Sequence, residues 1–236
     1  MEDPKMKRTL CILAAILMIA SFALTGCAKK AEAKLTPADI LGKSYDAMQA
    51  VKSFHFLLEH STGGTPLGSG ISMTKAEGDV VRPDKLSASL TGSALGSTVI
   101  VKLIAADGKT MMTNPLSQKW EEVGASFQAL TVFDPSNGIA AIIKGLANPT
   151  LLTEEKIGDV LCYHIKGDIP TPTLAPFTGT TAKEGTVAAE VWVAKDNFLV
   201  QQVKLDGKIT DTETTGIIRT LTFTNFDKDV EIKLPA

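Results

Sequence analysis

Ser53-Phe54-His55-Phe56-Leu57-Leu58-Glu59 is where this chain changes its period. Before it, apolar residues recur at helical spacing; from Ser53 on they recur every second residue, the spacing of a strand with one face buried. Phe54, Phe56 and Leu58 alternate with His55, Leu57 and Glu59. The same alternation returns as Leu86, Ala88, Leu90 against Ser87, Ser89, Thr91, and as Ile217, Leu221, Phe223 against Thr220, Thr222, Thr224. Val99, Val101 and Leu103 alternate with Ile100, Lys102 and Ile104, so that strand is apolar on both sides apart from Lys102 and its inward face stays ambiguous. Turn residues separate these runs: Thr62-Gly63-Gly64-Thr65-Pro66, the break at Asp79–Asp84, Asp107-Gly108, Lys195-Asp196-Asn197 and Asp206-Gly207. Further strands are expected from Ile71 and Met73, over Thr110–Thr113, Trp120–Val123, Val160–Gly167, Ala188–Ala194 and Phe198–Leu205, and at the end over Asp229–Leu234.

Helices flank this β pattern. Thr36 is a natural N-cap, Pro37 suits the first helical position, and Asp39 puts negative charge in the first turn. Leu41, Tyr45, Met48 and Val51 then form one apolar stripe, ending near Lys52. A second helix is expected with Asp134 as cap, Pro135 first, Ile139, Ile142 and Ile143 as its apolar face and Gly145 as its stop. Thr171–Gly185, rich in Pro, Thr, Gly and Ala, reads as a long loop. The fold class is therefore α+β: an antiparallel sheet with one wet face, and amphipathic helices to cover the other. A long antiparallel sheet curls because its strands twist, and a curled sheet roofed by helices can enclose an apolar pocket.

The N-terminus adds a second signal. Lys5, Lys7 and Arg8 precede an apolar run, Leu10–Leu24, that is shorter than the roughly 20 residues a spanning helix needs. The run closes with Leu24-Thr25-Gly26-Cys27, which resembles the cleavage motif of bacterial lipoproteins. That resemblance implies removal of residues 1–26 and a diacylglyceryl thioether on Cys27, each buried CH₂ adding about 0.8 kcal/mol to membrane anchoring. Residues 27–35 read as a polar tether and 36–236 as the folded domain. The expected location is extracytoplasmic, at the outer face of the cell membrane.

Composition narrows the function. A net charge of −2 and no basic stripe leave nothing to attract nucleic acid. Cys11 leaves with the signal and Cys27 is acylated, so Cys162 has no partner for an internal disulfide; it reads as a buried small apolar residue. His55, His60 and His164 lie on separate strand segments without metal-ligand spacing, and read as surface or edge positions. Trp120 and Trp192 read as packing residues. No nucleophile constellation, phosphate loop or paired-carboxylate pattern is present, and neither catalysis nor a cofactor is expected.

Several segments together carry a wider resemblance. They are Phe54-His55-Phe56, Val81-Arg82-Pro83-Asp84-Lys85-Leu86, Phe133-Asp134-Pro135 with Gly138, Glu190-Val191-Trp192-Val193 before Leu199-Val200, and Asn225-Phe226 with Val230-Glu231-Ile232. In this order, behind the lipoprotein motif, they resemble the LppX/LprA/LprF/LprG lipoproteins of mycobacterial envelopes. The resemblance implies a strongly curved half-barrel with helices across its concave face, and an apolar cavity that shelters the acyl chains of a lipid or glycolipid cargo. It also implies transfer of that cargo, with an envelope transporter as a delivery partner, and membrane attachment through Cys27.

The expected cavity wall is Leu41, Tyr45, Met48, Ile139, Ile142 and Ile143 from the helices. From the sheet it is Phe56, Leu58, Leu86, Leu90, Val101, Leu103, Val191, Val193, Leu221 and Phe223. Two alternatives stand beside this reading. The same residues could simply pack a dry core, or the chain could be a structural or sensory lipoprotein that contacts a protein partner through the sheet.

Overall fold

A computed structural model describes residues 34–66, 70–123, 133–134, 138–175, 184–213 and 216–235. The signal segment, Cys27, nearly all of the tether, Pro135 and the middle of the Thr171–Gly185 excursion lie outside those residues.

Helix α1 spans Pro37–Ala50 and begins as its sequence dictates. Thr36 Oγ1 accepts from the Asp39 N–H at 3.1 Å, and the Thr36 N–H donates to Asp39 Oδ2 at 2.9 Å. This reciprocal box, with Pro37 at the start, satisfies donors that a helix N-terminus otherwise leaves open. Val51 turns extended and ends the helix.

The strands that follow are β1 (Ser53–Thr62), β2 (Thr65–Pro66), β3 (Ser72–Val81), β4 (Lys85–Ala94), β5 (Ser97–Ala106), β6 (Lys109–Thr113) and β7 (Trp120–Glu122). After helix α2 (Ile139–Gly145) come β8 (Ala147–Leu151), β9 (Glu155–Ile157), β10 (Val160–Pro170), β11 (Thr186–Ala194), β12 (Val200–Asp206) and β13 (Ile218–Thr224). They form one sheet in the order β7-β6-β5-β4-β3-β1-β13-β12-β11-β10-β8, with β2 beside β3 and β9 beside β10. Each of these pairings is antiparallel. The sheet is open, with β7 at one margin and β8 at the other. Two meanders, β3 to β7 and β10 to β13, are joined in the middle by the long-range β1–β13 pair.

The structure corrects three expectations. Helix α2 starts at Ile139 behind Gly138, with no side-chain cap; Asp134 lies outside it, its carbonyl accepting from the Gly138 N–H at 2.9 Å. Strand β8 follows α2 directly, where no alternation announces a strand. Asp229–Leu234 alternates in sequence but pairs with no strand. The tail before it clamps the α1–β1 junction instead: the Lys52 N–H donates to Asp227 Oδ1 at 2.7 Å, and Ser53 Oγ donates to the Lys228 carbonyl at 2.6 Å.

Register sorts the side chains onto two faces. Phe56 stands opposite Phe223 on one side and Gly78 on the other; Gly78 faces Ala88, and Ala88 faces Leu103. These belong to the covered face, and the register resolves β5 by placing Val101 and Leu103 there and leaving Ile100 46% exposed on the other side. Phe54 anchors the covered face. It is fully buried, edge-on to Phe133 and to Phe223 with ring centroids 5.7 Å away in each case. Burial of such a ring contributes about 1.5–3 kcal/mol.

Candidate functional site

The candidate site is the covered face and its helical roof. Nearly every expected wall residue falls into one contiguous apolar cluster. Leu41, Met48, Phe56, Leu86, Leu103, Ile139, Ile142, Ile143, Val191, Val193, Leu221 and Phe223 are buried in it, and Tyr45, Leu58 and Leu90 pack against it half-buried. Val101 is buried but stands outside the cluster. Val187, Ala189, Ile165, Ile169, Val203 and Leu205 join it unforeseen.

The roof is uneven. α1 packs against α2, β8 and β11, and α2 against β10 and the short 3-10 turn Thr171–Leu174. Among the described residues, neither helix packs extensively on β3, β4 or β5. Val187, Val191 and Val193, in the roofed half, are fully buried, whereas Leu58, Ala88, Leu90 and Met112 in the other half remain partly exposed. Small residues lie in that half. A Cβ on Gly78 would lie 2.1 Å from the Ser87 carbonyl oxygen, so the close approach of β3 and β4 demands glycine there. Gly78 and its partner Ala88 are thus the small residues of the row between the bulky Phe56 and Leu103.

Polar groups fix the roof and one end of this face. Arg82, in the β3–β4 turn, donates through Nη1 to the carbonyls of Met48 (2.6 Å) and Val51 (2.9 Å), and through Nη2 to that of Phe133 (3.3 Å). Its guanidinium carbon also lies 5.4 Å from the Phe54 ring centroid. At the far end, Arg219 shares the covered side of β13 with Leu221 and Phe223, is 5% exposed, and pairs with the buried Glu213. Arg219 Nε also donates to Thr65 Oγ1 at 3.3 Å, and His60 Nε2 lies 2.9 Å from the same hydroxyl. Burial pushes the His60 imidazole below its ordinary value; the Thr74 carbonyl, 3.0 Å from Nδ1, opposes that shift only in part. These charged and hydrogen-bonded groups close one end of an otherwise greasy surface.

On the open face, His164 corrects the expectation of a surface histidine. It is 6% exposed, stacked on Trp192 at 4.3 Å between ring centroids, and its Nε2 lies 2.7 Å from Glu190 Oε2. Trp192 does pack, and its indole N–H donates to Glu155 Oε2 at 2.9 Å. Cys162 is buried without a disulfide, and burial raises its thiol pKa. Among the described residues, no group of His, Cys, Asp and Glu could hold a metal ion, and no helix is long and apolar enough to cross a membrane.

An open antiparallel sheet with one face lined by aliphatic side chains and partly roofed by helices defines an α+β protein whose interior surface is its distinguishing feature. The chain belongs to the LppX_LprAFG lipoprotein family, whose model matches residues 36–232. It is similar in fold to LprF from Mycobacterium bovis, with 15% identity, 85% of this chain and 97% of that one covered, and a TM-score of 0.66. It is likewise similar to the Mycobacterium tuberculosis lipoprotein LppX, with 20% identity, 84% and 98% coverage, and a TM-score of 0.59. No curated protein matches the chain.

Proposed function

We propose that this protein is a lipid-anchored carrier at the outer face of the cell membrane that shelters the acyl chains of a lipid or glycolipid between its covered sheet face and its helices. The observation that carries this reading is the Phe56–Gly78–Ala88–Leu103 row. There two small residues stand between bulky ones, and the apolar surface is left half-covered at Leu58, Ala88 and Leu90. Acyl chains need apolar area and few polar anchors, which is what this half of the face offers. Membership of a lipoprotein family supports acylation of Cys27 as the anchor. The mechanism is passive: cargo exchanges bilayer for protein surface, the helices or the Thr171–Gly185 segment open to admit it, and an envelope transporter delivers or accepts it.

Mass spectrometry of organic extracts from the purified, tag-free protein tests this reading, paired with uptake of a fluorescent fatty acid. Co-purified lipid in stoichiometric amount is expected. Absence of both lipid and probe uptake would falsify it.

A further inference from the structure

The open face of the sheet carries a groove that lipid carriage leaves unused. It is open to solvent, has a volume of about 290 Å³, and its lining includes Glu77, Asp79, Ser87, Ser89, Lys102 and Trp120. Register explains why these side chains converge. Glu77 stands opposite Ser89, and Ser89 opposite Lys102. The Lys102 N–H donates to Thr113 Oγ1 at 2.9 Å, and Thr113 stands opposite Trp120. One row therefore crosses β3 to β7, four strand spacings or about 19 Å. Asp79 and Ser87 form the start of a parallel row beside it.

The chemistry of the groove is mixed. His55 Nδ1 lies 2.8 Å from Asp79 Oδ1 and its Nε2 3.5 Å from Glu77 Oε1, while Lys75 Nζ lies 2.9 Å from Glu77 Oε2. These contacts hold the carboxylates in place and leave them lone pairs to accept further bonds. The Ser87 and Ser89 hydroxyls, the Lys102 ammonium and the Trp120 indole N–H have no protein partner among the described residues, so donors line the other side. Lys75 and Lys102 balance Glu77 and Asp79, so no net positive field favours a phosphate or another anion. An indole face at one end, with acceptors and unpaired donors along the floor, matches a ligand whose rings have apolar faces and whose rims bear hydroxyls.

We infer that this groove binds a neutral oligosaccharide, the indole of Trp120 stacking on a sugar ring while Ser87, Ser89 and Lys102 donate to its oxygens and Glu77 and Asp79 accept from its hydroxyls. The groove lies on the opposite side of the sheet from the covered face, and its occupation does not depend on lipid carriage.

The test is titration of the purified full chain with neutral oligosaccharides (chitotriose, cellotriose, maltotriose and mannotriose), read by calorimetry and by the indole N–H resonances of the two tryptophans. At least one sugar is expected to shift the Trp120 resonance saturably and to leave that of Trp192 in place. Trp120→Ala should weaken that binding about tenfold or more, equivalent to the loss of one good aromatic contact. Ser89→Ala, which removes only a hydroxyl, should weaken it too, whereas Leu90→Trp on the covered face should not. The inference is overturned if none of the four sugars moves the Trp120 resonance. Binding unchanged in Trp120→Ala would overturn it equally, as would a shift produced by inorganic phosphate or by phosphatidylcholine vesicles in place of the sugars.

Discussion

Arg82 Nη1 donates to the Met48 carbonyl at 2.6 Å, so a turn between two strands holds the last turn of the helix that roofs the sheet. The same guanidinium reaches Val51 and Phe133, which makes one side chain the junction of α1, the β3–β4 turn and the approach to α2.

Replacing Arg82 tests that junction. Arg82→Ala leaves three carbonyls without their charged donor and should cost about 2 kcal/mol, with Arg82→Lys intermediate because an ammonium cannot span all three. Urea unfolding followed by circular dichroism measures it. A midpoint equal to that of the parent protein would show that α1 is held by its apolar stripe alone.

The buried Arg219–Glu213 pair makes a different prediction. Ile209 N–H donates to Glu213 Oε2 at 2.8 Å, and Arg219 Nη1 donates to the Gly207 carbonyl at 3.0 Å, so each ion is tied to backbone as well as to its partner. Removing one ion strands the other, and Arg219→Met or Glu213→Leu alone should cost about 3–5 kcal/mol. The double replacement should recover much of that loss. A double-mutant cycle without coupling would contradict the pairing.

His60 should make stability depend on pH. Its folded pKa is held below the unfolded value of 6.5 by burial, so the unfolded chain binds the proton more readily. Its contribution is complete above 6.5 and is lost as pH falls through the lowered folded value. Glu190 adds to the same trend at lower pH: burial disfavours its charge, but Lys204 Nζ at 2.9 Å and His164 outweigh that and hold it below the usual carboxylate range. His60→Gln should flatten the stability profile just below pH 6.5 and leave the more acidic limb intact. An unaltered profile from denaturant titrations would remove His60 as its source.

The half-covered surface at Ala88 and Leu90 predicts how uptake of the proposed cargo is blocked. Ala88→Phe combined with Leu90→Trp fills the half-covered part of the face, where the cost of overpacking is small because the site is not closed. Uptake of a fluorescent acyl probe should fall about tenfold with thermal stability nearly unchanged. Uptake unchanged in this variant would place the cargo elsewhere.

Much of this fold is legible in the order of the residues. The Thr36–Asp39 box, the alternation from Ser53 and the Asp107-Gly108 hairpin depend on neighbours in sequence, and each appears where local chemistry puts it. What is not legible is non-local. Alternation cannot say that β1 lies between β3 and β13, nor that Asp229–Leu234, with the same pattern, pairs with no strand. Arg219 sits at an inward position of its alternation, yet only the fold brings Glu213 to neutralise it. His164 is buried because Trp192 and Glu190 meet it from the next strand, a neighbour that no spacing reveals. The candidate cavity wall is easier to name as a set than to resolve into core and cargo contacts, since a branched aliphatic side chain suits both.

The pairing of β1 with β13 has a last consequence. Residues from opposite ends of the polypeptide are stitched together at the sheet's midline, while its two outermost strands are each secured along a single flank. Backbone amides along that midline should therefore be the slowest to exchange with deuterium, and the rims the quickest. A sheet so built can part at its borders without ever undoing its seam.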